Sequence, residues 1–437
     1  MFQMEANTPI PSIDASLSII RAHNSLCPNF FDFDKIAMYF AYFNYHNKMV
    51  EEPLRGALGI KGLYSVKMDE GLRNYIKKSG KAHLFNSTSR GISLSESSIE
   101  QAISTGQLSS LDCTIIEAYQ RYNKTKRFAR TMMTMMQLPV SGVVSKDNHK
   151  TVMCTPNWRG QNTGRIAMFD PAIQNLPREL QDITTCPKGF TVIHTDSGQI
   201  DPRITISWVY KDKQITSLIN LYNDAYYGIY HYCMVLSDDD IYSGRTDFSK
   251  MEITSEIEEG RKTIKTYVNA VVYGSKSNPT GDPVKAAMIK RLGQHPARLD
   301  LIERNRYKID RGDYIFKTYF GTPIDISKSD KLQNYEVGSE GWIAELERLA
   351  INNPIQGTAA DCMRYSIQKV HERFMDLKDS VILHYIHDAG VFMVHDDELP
   401  LVKEFLADCV AYQIDDWIPI NAEPEFDRPK GFFKDWY

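Results

Sequence analysis

Apolar and β-branched residues bunch in two places that predict strands ending in acids. The run Phe190-Thr191-Val192-Ile193-His194-Thr195-Asp196 is short, apolar and closed by a carboxylate, as expected of a buried strand with Asp196 at its tip. Pro202 then suits a first helical turn, where its missing N–H does no harm. Two further apolar runs, residues 381–386 and 391–394, flank His387-Asp388-Ala389-Gly390 and predict a β-hairpin with Asp388 at its tip. Between these strands the pattern turns helical over residues 255–274. There Ile257, Ile264, Val268 and Val271 form an apolar stripe, Ser255 with Glu258 spells a capping box, and Gly274 supplies a stop. Residues 115–136 predict another helix, and the serine-rich stretch 86–98 predicts a turn and a cap before Ile99. Aromatic residues crowd the start of the chain (Phe30, Phe31, Phe33, Tyr39, Phe40, Tyr42, Phe43, Tyr45), which predicts a small packed subdomain.

Composition narrows the class. The 437 residues suffice for two to three domains at roughly 100–200 residues each, and 42% hydrophobic with 24% charged residues describes a folded chain. No apolar run reaches the roughly 18–20 residues of a membrane helix, and the first residues lack the basic-then-apolar order of a secretory signal. The seven cysteines are odd in number, scattered and free of C-x-x-C, which argues against a disulfide framework or a cysteine zinc site and fits a reducing cytosol. With 51 Lys+Arg against 55 Asp+Glu, the net charge is −4, so any polyanion site must come from local clusters.

Two such clusters stand out. Arg261, Lys265 and Asn269 are four residues apart and share a helix face, with Tyr273 one step further. Arginine and lysine one turn apart can hold a polyphosphate through charge-assisted hydrogen bonds, although an ordinary solvated face has the same spacing. Arg121, Lys124, Lys126, Arg127 and Arg130 are open to the same two readings, a solvated face or a helix tracking phosphates. Met132, Met133, Met135 and Met136 read as adaptable packing. Asp196 and Asp388, if brought together, could bind two Mg²⁺ about 3.5–4 Å apart, whereas either alone reads as a turn residue.

Taken together, the blocks resemble those of family A DNA polymerases, the type of bacterial DNA polymerase I and its phage relatives. Asp196-Ser197-Gly198-Gln199-Ile200-Asp201-Pro202-Arg203 is similar to D-Y-S-Q-I-E-L-R, and Arg261, Lys265, Tyr273 and Gly274 match R-x-x-x-K-x-x-x-[FY]-x-x-x-Y-G. His387-Asp388 matches H-D-E. Thr163-Gly164-Arg165, Asp170-Pro171 and Gln174-Asn175-Leu176-Pro177 are similar to T-G-R-L-S-S-x-D-P-N-L-Q-N-I-P, and Arg348, Asn352 and residues 354–361 to R-x-x-x-N-x-P-x-Q-G-T-A-A-D. The blocks keep the family's order over residues 119–437.

The resemblance implies an α+β right-hand polymerase fold with an antiparallel-sheet palm, helical fingers and a helical thumb. The domains it implies are an amino-terminal subdomain of unassigned role at 1–85, a thumb at 86–162, a palm at 163–217 and 346–437, and fingers at 218–345. It implies template-directed DNA synthesis, with Asp196, Asp388 and Lys265 catalytic and two Mg²⁺ held by Asp196, Asp388 and the Ser197 carbonyl. Gln199, Asp201, Arg261, Lys265, Asn269 and Tyr273 would line the nucleotide. Tyr242 is aligned, across a gap, with the family's phosphate-binding histidine. Arg165, Gln174, Arg348, Asn352, Gln356 and His387 would contact DNA, largely through minor-groove acceptors that look alike in all base pairs. The implied partners are primer-template DNA and deoxynucleoside triphosphates, without a membrane, in the cytoplasm of a bacterium or phage-infected cell.

Several positions depart from the family. Asp201 stands in place of a Glu that crowds the sugar 2′ position, Asn269 in place of an aromatic residue, Ala389 in place of the Glu of H-D-E, Ala172 in place of an Asn and Ser197 in place of a Tyr. Residues 1–85 contain no D-x-E pattern, so proofreading is expected on a separate exonuclease polypeptide, which a processivity subunit could accompany. A catalytically weak DNA-binding or scaffold homologue, and a single-subunit RNA polymerase, are the competing expectations.

Overall fold

In a computed structural model, all residues are described except 27–28, 61–66, 89–90, 139–148, 153–154, 158–161, 170–171, 174–175, 245–253, 275–277, 279–280, 387 and 426–437. The chain forms two compact units. The larger comprises the described residues of 1–29, 153–175 and 186–425; the smaller comprises those of 30–152 and 176–185.

The smaller unit is built on two long helices, Phe33–Ala57 and Ser110–Met136. Asp32 caps the first, and a reciprocal box between Ser109 and Asp112 caps the second, so that helix begins five residues before its expected start. Phe43 packs edge-on against Phe128 at 5.3 Å, and Thr125 donates to Asn47 Oδ1 at 2.6 Å in the buried seam. Met132 and Met135 face inward, whereas Met133 and Met136 are exposed. Leu54, Leu72 and Leu84 share one core with Ile99, Ile115 and Tyr119, so packing runs straight across the boundary expected at residue 85. The first residues go elsewhere: Phe2–Met4 pairs in parallel with Tyr412–Ile414, and the Ile13–Leu26 helix joins the core of the larger unit. Residues 1–85 thus contribute to two different cores.

At the centre of the larger unit is a four-stranded antiparallel sheet in the order Val381–Ile386, Ala389–His395, Phe190–Ser197, Ala422–Glu425. The expected strand and hairpin are both present. Ile193, Ile382, Phe392 and Val394 from the sheet pack with Ile367, Val370 and Phe374 of the Glu340–Phe374 helix, and each such fully buried side chain contributes about 1.5–3 kcal/mol.

Four helices, Lys213–Tyr222, Ala225–Met234, Ser255–Val272 and Pro283–Arg291, enclose a second core made by Leu218, Ile229, Ile264, Val268, Val271 and Met288. Gly228 lets the first two approach closely: a Cβ there would lie 2.7 Å from the Ile219 amide nitrogen. The start of Ser255–Val272 differs from expectation. Thr254 is the cap, its hydroxyl accepting from the Ile257 amide at 3.4 Å, because Ser255 is already inside the helix and so cannot form the box with Glu258. Gly274, at φ +104°, ends the helix as expected. Among the described residues no helix is long and apolar enough to cross a membrane.

Candidate active site

Strand register brings the two expected acids together. Asp196 lies opposite Ala389, and the Ser197 amide donates to the Asp388 carbonyl at 3.2 Å. Asp388 is the turn residue just before Ala389, so the backbones of the two aspartates come together at one end of the sheet. Alternation along the Phe190–Ser197 strand buries Thr195 and Ser197 and exposes Asp196; Asp388 is half-buried. Two carboxylates and the neighbouring Ser197 carbonyl form an all-oxygen donor set, the kind that suits Mg²⁺. No cluster of three or more His, Cys, Asp or Glu side chains arranged to hold a metal occurs among the described residues.

Past Ser197 the chain turns sharply. Gln199 adopts a left-handed conformation at φ 58° and opens the short Ile200–Ile204 helix, which carries Asp201. Asp201 accepts from Arg165 Nη2 at 2.7 and 2.9 Å and from the Tyr273 hydroxyl at 2.7 Å. Burial works against the Arg165 charge, but Asp201 and then Asp388 outweigh it and raise its pKa. Arg165 therefore sits in the field of both acids. Burial, then Asp201, pushes the Tyr273 phenol well above its ordinary value, while Arg165 and a hydrogen bond with Gln356 pull the other way.

A second link lies further along the Ser255–Val272 helix. Arg261 Nη2 donates to Asp224 at 2.5 Å, and Gln199 Nε2 donates to the same carboxylate at 2.6 Å. The Arg261 guanidinium lies over the rings of Tyr226 and Tyr227 at 5.4 and 5.6 Å, and Lys265 lies over Tyr226 at 5.8 Å. Burial raises the Tyr226 phenol, and a hydrogen bond with Asn269 partly offsets it. Lys265 itself is exposed.

The structure thus gathers Asp196, Ser197, Gln199, Asp201, Arg261, Lys265, Asn269, Tyr273, Arg165 and Gln356 around one end of the sheet. Arg348 and Asn352 precede Gln356 on the Glu340–Phe374 helix. Arg348 Nε donates to Glu345 at 2.8 Å, and Asn352 is buried with no hydrogen bond to its Oδ1 among the described residues. Gln174 and His387 lie outside the described residues. Tyr242 is 89% exposed on the short Asp238–Ser243 helix, whereas Tyr226 lies against Arg261 and Lys265. Sequence reasoning also missed Asp224. An aspartate capping a helix whose second and third residues are tyrosines was the available signal, but nothing local tells a plain cap from one that also receives an arginine.

The family model for DNA polymerase family A matches residues 65–428. DNA polymerase I of Caldicellulosiruptor bescii is 23% identical over 262 residues, which is 56% of this chain and 28% of that protein. DNA polymerase I of Pseudomonas aeruginosa is 22% identical over 306 residues, 66% of this chain and 30% of that protein. The chain therefore spans less than a third of the length of these curated relatives. A solved structure, the POL domain of Pol1 from M. smegmatis in complex with DNA primer-template and dNTP, superposes with a TM-score of 0.74 at 17% identity, covering 97% of this chain and 70% of that one. The fold is accordingly the α+β right-hand polymerase fold. With the family model matching well over half its length, the chain belongs to DNA polymerase family A.

Proposed function

We propose that this chain is a template-directed DNA polymerase, adding deoxynucleotides to a primer 3′-hydroxyl without intrinsic 3′–5′ proofreading. The observation that carries the reading is the register that sets Asp196 opposite Ala389, the residue after Asp388, with the Arg261–Tyr273 helix face linked to the same segment through Asp201 and Asp224. The relatives are named as DNA polymerases, and the M. smegmatis structure holds primer-template and dNTP; we extend those partners to this chain. Asp196, Asp388 and the Ser197 carbonyl are the groups that would hold Mg²⁺. Two bound ions supply Lewis acidity for in-line displacement at the α-phosphate and charge neutralisation for the pyrophosphate.

The remaining work falls to side chains. Arg261 and Lys265 present positive charge where the triphosphate gains negative charge, which stabilises the transition state without covalent chemistry. Gln199 supports them, and Asp201, held by Arg165 and Tyr273, lines the sugar side. Arg165, Arg348, Asn352 and Gln356 would contact the primer-template, Asn352 and Gln356 from one turn apart on the Glu340–Phe374 helix; Gln174 and His387, outside the described residues, keep the DNA role that the resemblance implies. We place the activity in the cytoplasm of a bacterial or phage-infected cell, with proofreading or processivity supplied by separate polypeptides. Primer extension with deoxy- and ribonucleotides, with and without Mg²⁺, tests this. Mg²⁺-dependent, template-directed incorporation of deoxynucleotides is expected, and binding of DNA without extension would favour the scaffold reading. A Mg²⁺-dependent 3′–5′ nuclease in the pure chain would end the no-proofreading part.

A further inference from the structure

Asp224 lies outside every sequence block named above, yet two of those blocks meet on it. Its Oδ1 caps the Ala225–Met234 helix, accepting from the Tyr226 and Tyr227 amides at 2.9 and 3.0 Å. Its Oδ2 accepts from Gln199 at 2.6 Å and from Arg261 at 2.5 Å. One oxygen therefore serves the backbone, and the other serves two side chains assigned above to the nucleotide.

The ion pair is lopsided. The Asp224 side chain is 12% exposed and that of Arg261 is 38% exposed. If Arg261 leaves, the Asp224 carboxylate keeps three donors, namely two amides and Gln199, so it is not stranded without partners. Arg261 meanwhile stays beside Lys265, since both cations lie against the Tyr226 ring. An anion arriving on the open side of Arg261 meets two positive charges.

We propose that Asp224 is a positioning residue for the nucleotide triphosphate: its carboxylate holds Arg261 as a stand-in anion and releases it when the triphosphate binds. The inference rests on the polymerase reading and describes how its nucleotide subsite is kept in place before the nucleotide arrives. The exchange makes and breaks no covalent bond and moves no proton. Arg261 Nη2 stops donating to Asp224 Oδ2 and donates to a phosphate oxygen instead. The carboxylate that orders Arg261 also competes with the phosphate for it and repels the incoming charge, so it weakens nucleotide binding.

Asp224→Asn tests the exchange, because its amide oxygen keeps the helix cap while both the charge and the acceptor that faces Arg261 and Gln199 are lost. In an equilibrium titration of dATP with Mg²⁺ into the full chain, Asp224→Asn should bind about three- to tenfold more tightly than the wild type. In steady-state primer extension its KM for dATP should fall by a similar factor, with kcat changed by no more than about twofold. In an Arg261→Ala background the same substitution should leave the Kd unchanged. Should Asp224→Asn fail to fold, Asp224→Ser keeps a capping hydroxyl without the charge and serves in the same comparison. Unchanged or weaker dATP binding in the charge-removed variant overturns the proposal, as does an equal gain in the Arg261→Ala background or a wild type that does not bind dATP. A wild type that binds dATP but never extends a primer counts against the polymerase reading alone, since the Kd comparison still decides the role of Asp224.

Discussion

Tyr273 donates its phenolic hydrogen to Asp201 at 2.7 Å, and this bond ties the end of the Ser255–Val272 helix to the turn that follows the Asp196 strand. The same carboxylate takes two hydrogen bonds from Arg165, so its position is set from both sides. An aspartate held in this way reaches one methylene less far than the family's glutamate. Asp201→Glu should therefore sharpen rejection of ribonucleotides, by about tenfold in the ratio of dATP to rATP incorporation efficiency. Equal ratios for the two proteins would remove Asp201 from sugar selection.

Asp196 ends its strand opposite Ala389, and Asp388 occupies the turn just before Ala389, so the two acids meet at the same end of the sheet from separate elements. Asp196→Ala and Asp388→Ala should each lower the extension rate by about a thousandfold or more, while primer-template affinity in a binding titration stays within about threefold. Extension at the wild-type rate by either variant would separate these acids from the chemistry.

Acid should loosen the larger unit through His23. This ring is buried, hydrogen-bonded to His371 at 3.0 Å and placed to accept from the Ile382 amide. Burial, then the neighbouring His371, lowers its pKa from 6.5 to about 4. The folded state thus binds this proton less readily than the unfolded state does. Its contribution is whole above pH 6.5 and is lost as pH falls from 6.5 through about 4, by roughly 1–3 kcal/mol. Denaturant melts at pH 7 and pH 4.5 should show a smaller difference for His23→Gln than for the wild type.

Gly228→Ala isolates the close approach of two helices. Its Cβ would lie 2.7 Å from the Ile219 nitrogen and 2.8 Å from its Cα, contacts that only a backbone shift can relieve. The expected cost is about 3 kcal/mol or more, read as a lower denaturant midpoint. A midpoint within experimental scatter of the wild type would show that the two helices separate freely.

What could be read along the chain was whatever depends on near neighbours. The Asp196 strand, the hairpin around Asp388 and the basic face of Arg261, Lys265 and Asn269 follow from periodicities of two and about four residues, which backbone geometry imposes locally. The motif order then indicated the family. Tertiary structure alone decided which acid meets which base. Asp201 and Asp224 are both ordinary first-turn or capping aspartates by sequence, and only folding brings Tyr273 and Arg165 to one and Arg261 and Gln199 to the other. It likewise laid Tyr226 rather than Tyr242 against the cations and divided residues 1–85 between two cores. The hydrogen-bonded pairs join residues 25 to 72 positions apart, and they follow from how whole helices and strands pack rather than from any local preference of the residues paired.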